Sequence, residues 1–183
     1  MNIAILNGNP NAENADFDTR VSKIAEGLEV AGGRVTTHLL RDRDVRMCKG
    51  CFGCWHRTPG ECVHRDDTPL ILKTVINADF VLLASPVSIG FVSPLLKTAI
   101  DKFLPLIHPY VFIKNNEMRH LRRYPRYPDW GVLLEKSGDT DDDDIAIITE
   151  CMRRGTLNFH SSLRFSKLVT EPSEEVVHAI VRA

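Results

Sequence analysis

The sequence is short of the features that mark several protein classes. No apolar run approaches the roughly 20 residues needed to cross a bilayer, so no membrane partner is expected. The opening residues, Met1-Asn2-Ile3-Ala4-Ile5-Leu6, carry neither the basic stretch nor the long apolar core of a signal peptide. That predicts a cytoplasmic protein, in which thiols stay reduced. Charge of one sign is lacking as well: a formal net charge of −1 leaves no field to draw nucleic acid or an anionic membrane. The first loop has a single glycine, so the G-x-G-x-x-G dinucleotide fingerprint is missing, and so is the P-loop lysine. No internal repeat or low-complexity linker interrupts the 183 residues, which are read as one domain spanning 1–183.

What is present reads as alternating strands and helices. Ile3-Ala4-Ile5-Leu6, Phe80-Val81-Leu82-Leu83-Ala84 and Val132-Leu133-Leu134 are apolar throughout, as in strands covered on both faces. Two others alternate, as edge strands do. Val35, Thr37 and Leu39 share a face opposite Arg34, Thr36 and His38, and Leu163 and Phe165 alternate with Arg164 and Ser166. Phe17, Val21, Ile24, Ala25 and Leu28 follow a helical period that stops at Gly32-Gly33. Thr68-Pro69 opens a second helix to about Asn77, and Ser93-Pro94 a third with an apolar stripe through Leu104. Asp141 to Asp144 precede a fourth, and Glu174 to Val181 form a fifth. Strict β-α alternation predicts an α/β three-layer sandwich with a five-stranded parallel sheet in the order 2-1-3-4-5. Residues 109–129, rich in arginine, stand apart as a basic insertion. Tyr124 and Tyr127 are the only aromatics interleaved with those arginines, so nucleic acid is not expected to bind there.

Ligands of open parallel sheets bind beyond the carboxyl ends of the strands, near the switch point. The loops 7–16, 41–66, 85–92 and 135–140 are expected at that edge. In the first, Asn9, Asn11 and Asn14 precede a helix N-terminus and are candidate anion-binding residues. In the third, Pro86, Val87, Ser88, Ile89, Gly90 and Phe91 form a turn where main chain can approach a flat ligand. The loop at about 46–66 holds Cys48, Cys51, Cys54 and Cys62, a C-x2-C-x2-C-x7-C spacing. Four such thiolates suit an iron–sulfur cluster or zinc, and a reversible dithiol is a third use. Trp55 is expected to pack this loop down. Cys151, alone, is read as a small buried residue.

Residues 2–105 resemble the NADPH-dependent FMN reductase and flavodoxin-like superfamily, and its iron–sulfur flavoprotein branch in particular. The resemblance rests on Ile5-Leu6-Asn7-Gly8-Asn9-Pro10, on Cys48-Lys49-Gly50-Cys51-Phe52-Gly53-Cys54-Trp55 with Pro59-Gly60-Glu61-Cys62, and on Ser85-Pro86-Val87 with Ile100-Asp101-Lys102. It implies a flavodoxin-like fold and FMN, with phosphate in loop 7–16 and the ring edge at Pro86 to Phe91. It also implies NAD(P)H as electron donor, a small-molecule or protein electron acceptor, and a homo-oligomer, dimer or tetramer. A [4Fe-4S] cluster on the four cysteines is implied too, with zinc as the alternative. The family's phosphate loop carries Ser, Arg and Thr where this chain has asparagines and acids. A flavin-less binding or regulatory module on the same fold is therefore the alternative function.

Overall fold

Buried on both faces, the apolar runs become the centre of a parallel sheet. The structure, a computed structural model, describes residues 1–183. In chain order its elements are β1 (Asn2–Asn7), α1 (Ala15–Val30), β2 (Arg34–Leu39), α2 (Gly53–His56), α3 (Thr68–Asn77), β3 (Phe80–Ser88), β4 (Phe91–Val92) and α4 (Pro94–Asp101). They continue with β5 (Ile107–Lys114), β6 (Glu117–Arg122), β7 (Asp129–Glu135), α5 (Asp142–Asn158), β8 (Leu163–Leu168) and α6 (Ser173–Val181). The five parallel strands run β2-β1-β3-β7-β8, which is the expected order, with β2 and β8 at the edges.

Alternate side chains of β1 and β3 enter two separate cores, which is why neither strand shows polar alternation. Ile3, Ile5, Phe80 and Leu82 pack with α1 and α6; Ala4, Leu6, Val81 and Leu83 pack with α3, α4 and α5. In β7, Gly131 leaves room for the Phe165 ring, whose Cζ lies 2.4 Å from where a Cβ would stand. No helix is long and apolar enough to cross a membrane.

Five features differ from the sequence reading. First, β4 adds a short antiparallel strand to β3. Second, the basic insertion is an ordered hairpin: β5 and β6 form a separate two-stranded sheet joined by Asn115-Asn116, both at positive φ. Third, α4 stops at Asp101, and Leu104–Leu106 form a separate 3-10 turn around Pro105. Fourth, His38 faces the core rather than solvent, being 2% exposed, because α3 covers that edge and Thr74 meets its ring nitrogen at 2.9 Å. Fifth, Cys151 is exposed, while its neighbour Met152 takes the buried position on α5.

Candidate functional site

Two of the expected ligand loops are stitched together at the carboxyl end of the sheet. The Gly8 N–H donates to the Ala84 carbonyl at 2.8 Å, and the Ser93 hydroxyl donates to the Gly8 carbonyl at 2.5 Å. Ser93 also caps α4, its Oγ accepting from the Leu96 N–H, while its own N–H donates to Ser85 Oγ. Glycine is required at position 8, since a Cβ there would stand 2.6 Å from Leu96 Cβ. The loop after β7 joins the same rim, where Asn14 Nδ2 donates to Glu135 Oε2 at 2.6 Å.

Within loop 7–16 the asparagines serve mostly one another. Asn9 is fully buried. Its Oδ1 accepts from the Asn11 N–H, and its Nδ2 donates to the Asn14 carbonyl and to Asp18 Oδ1. Asn11 Oδ1 accepts from the Glu13 N–H, and Asn14 Oδ1 from the Phe17 N–H, capping α1. The N–H groups of Ala12, Ala15 and Asp16 keep no protein partner, which leaves donors at the helix mouth. Asp18 is neutralised by Arg41 at 2.8 Å.

The third loop is the β3–β4 hairpin. Val87 is buried, Pro86, Ser88 and Phe91 are half-buried, and Ile89 is 98% exposed at the tip. Ile89 and Gly90 both have positive φ, at +52° and +67°, the pattern of a type I′ turn. Gly90 lies against Asp144 at the start of α5, whose capping box is formed by Asp141 and Asp144.

The cysteine segment starts at this rim and then leaves it. Arg41 contacts the Asn9 carbonyl at 3.4 Å, but Cys62 meets Lys102 just past the C-terminus of α4, about 12 Å of helix from Ser93. Thus the asparagine turn and the Pro86–Phe91 bend share one rim, and Cys62 meets the fold at the other end of α4. Gly50 and Phe52, both at positive φ, wind the segment, and Gly53 packs directly on Val63. That contact brings the Cys54 arm against the Cys62 arm. As expected, Trp55 packs the loop down, donating from Nε1 to the carbonyls of Leu104 and Ile107.

All five thiols are free. Burial pushes the Cys54 thiol up, and so does negative charge on Cys62, Cys48 and Cys51. No three His, Cys, Asp or Glu side chains stand close enough to share one metal ion. A tetrahedral zinc with Zn–S bonds near 2.3 Å needs its sulfurs within about 4 Å of one another. A cluster is larger than one ion and spreads its thiolates wider. Four thiols are a donor set that an iron–sulfur cluster or a zinc ion can take, and His64 Nε2 is buried in the same segment without a partner.

A family model described as NADPH-dependent FMN reductase matches residues 1–120. The chain belongs to the NADPH-dependent FMN reductase family. It is 31% identical over 102 residues to an iron–sulfur flavoprotein of Archaeoglobus fulgidus, covering 56% of this chain and 48% of that protein. An iron–sulfur flavoprotein of Methanocaldococcus jannaschii is 31% identical over 106 residues, covering 58% and 53%. The chain thus spans about half the length of these relatives. Among solved structures, it is similar to an FMN-dependent NADH-azoreductase of Bacillus anthracis in complex with FMN. The TM-score is 0.66 at 15% identity, covering 99% of this chain and 98% of that one, which shows the flavodoxin-like fold.

Lys102 joins the site although no local pattern in the sequence points to it. Lys102 is 2% exposed, and its Nζ lies 2.9 Å from Asp66 Oδ2 and 3.1 Å from Cys62 Sγ. Burial pushes the Asp66 carboxyl up, but hydrogen bonds from Thr68, Lys102 and Arg46 outweigh it and hold the group at about 2. Burial pulls the Lys102 ammonium down, and its bonds to Asp66 and Cys62 outweigh that and raise it. Both charges are therefore fixed at neutral pH. Beside Cys62 a cavity of about 500 Å3 opens between α3 and residues 124–126.

Proposed function

We propose that the chain is an FMN-dependent oxidoreductase or electron carrier that takes reducing equivalents from NAD(P)H and delivers them to a small-molecule or protein acceptor. The observation that carries this reading is the rim on which Gly8 and Ser93 bind the asparagine turn to the flavin-type hairpin, in a member of this family. In this reading the phosphate faces the unpartnered N–H groups of Ala12, Ala15 and Asp16. Asn11 lines the mouth, and the buried Asn9 and the Glu135-bound Asn14 shape the loop. The main chain of Pro86 to Phe91 supports the ring edge. Bound FMN would supply hydride acceptance at its N5; the protein holds it, excludes water and needs no acid or base. Cys48, Cys51, Cys54 and Cys62 would hold a [4Fe-4S] cluster that carries electrons onward. The protein works as a homo-oligomer in the cytoplasm, with no nucleic acid or membrane partner.

One observation favours the second reading, a flavin-free binding or regulatory module whose cysteines bind zinc or sense redox state. Most loop donors are spent internally, and Asp18 and Glu135 place carboxylates beside the phosphate position. Protein purified without oxygen, denatured and analysed for released flavin separates the two. About one FMN per chain, retained or taken up on addition, supports the first. A colourless protein that refuses added FMN overturns it.

A further inference from the structure

The Lys102–Asp66–Cys62 contact is the most buried charged cluster of the cysteine segment, and holding the segment in place does not account for its chemistry. A cation stays buried only when paired, and Asp66 alone satisfies that requirement. Asp66 also accepts from the Thr68 N–H at 2.9 Å and the Arg46 N–H at 3.1 Å, so it is rigidly fixed. It aims Lys102 so that a second N–H points at Cys62 Sγ. A neutral thiol is a weak acceptor. A buried ammonium is better matched to a sulfur that carries negative charge, as a metal-bound thiolate does.

We infer that Lys102 is a positioning residue that sets the reduction potential of an iron–sulfur cluster on the cysteine segment. The inference rests on the cluster reading given above. Reduction takes one electron from reduced FMN and makes the cluster one unit more negative, with no bond to the protein made or broken. A fixed positive charge donating to a ligand sulfur favours the reduced form, and hydrogen bonds to cluster sulfurs together with net charge are what set such potentials. Asp66 holds the ammonium on the sulfur and away from solvent.

The test uses the full chain, loaded without oxygen with ferric and ferrous iron in equal parts and sulfide, and titrated with dithionite while its visible absorbance is followed. Lys102→Gln should disfavour the reduced form about tenfold, a fall of about 59 mV for one electron, while Lys102→Arg stays close to the parent. Lys102→Gln leaves Asp66 buried without its partner, so the double variant K102M/D66N, which removes both charges together, guards against a failure to fold. It should shift the potential in the same direction by less. An unchanged potential in a charge-removing variant that keeps its iron overturns the role of Lys102 and leaves a structural tie. A parent protein that takes up no iron and sulfide overturns the cluster reading itself, and this inference with it.

Discussion

A histidine that loses its water holds its proton less tightly, and His38 shows what that does to stability. Burial first, and the Arg43 charge second, pull its pKa below the ordinary 6.5. The unfolded chain therefore takes up a proton near 6.5 while the folded one resists until lower pH. Stability from this site is complete above 6.5, declines as pH falls below it, and levels off once the folded ring protonates. The urea midpoint of the parent should fall between pH 7.5 and pH 5.5. His38→Gln should flatten that dependence; an equally steep fall in the variant would assign the slope to other groups. Gly8 offers a second test at this scale. Gly8→Ala pushes a Cβ into Leu96 and Ser93, the joint between the two rim loops. Overpacking of this kind costs about 1–3 kcal/mol. Thermal denaturation should register the loss, and FMN affinity should fall with it if the rim is the flavin site.

Among the elements, the β3–β4 hairpin carries a conflict between residue and backbone. A left-handed conformation costs a residue with a Cβ about 1–2 kcal/mol, and Ile89 adopts it while touching almost nothing. Asn-Gly is the preferred pair for such a turn. Ile89→Asn should therefore stabilise the free protein by about 1 kcal/mol, a rise of about 2–4 °C in melting temperature for a chain of this size. A fall would mean that the exposed isoleucine has a packing partner in solution, such as a second subunit. The other elements were legible to different degrees. Helices α1 and α3 and strands β1 and β3 declare themselves because each buries a continuous stripe or both faces. The β5–β6 hairpin was missed because it sits outside the main sheet, so neither strand alternates against a core. Tyr110-Val111-Phe112-Ile113 reads as an apolar run inside a basic stretch. Its one clear signal was Asn115-Asn116, two residues that tolerate positive φ between two strands. The rim loops were placed by topology alone. Lys102 was not, because its partners lie 36 and 40 positions earlier in the chain and no local period points to them.

At the scale of the whole molecule, the rim is fastened to both cores, and ligand binding there should report on global unfolding. Loop 7–16 leads into α1 in one core, while Ser93 begins α4 in the other. A ligand that holds these loops together binds the folded chain alone, so it stabilises by mass action: about 2.7 kcal/mol at a concentration one hundred times its Kd. For a chain of this size that corresponds to a rise of about 5–10 °C. FMN should produce it, and riboflavin, which lacks the phosphate, separates the two halves of the site. If the Ala12, Ala15 and Asp16 N–H groups hold the phosphate, FMN should outperform riboflavin at equal concentration, and added salt should narrow the gap by screening the charge. If the internal asparagine network has closed the loop to anions, both flavins should shift the melting temperature equally, through the Pro86–Phe91 hairpin alone. Asp18→Asn, which removes the negative charge while keeping an Oδ1 that accepts from Asn7 and Asn9, should then favour FMN over riboflavin, because a repelling charge is gone and Arg41 is left unopposed.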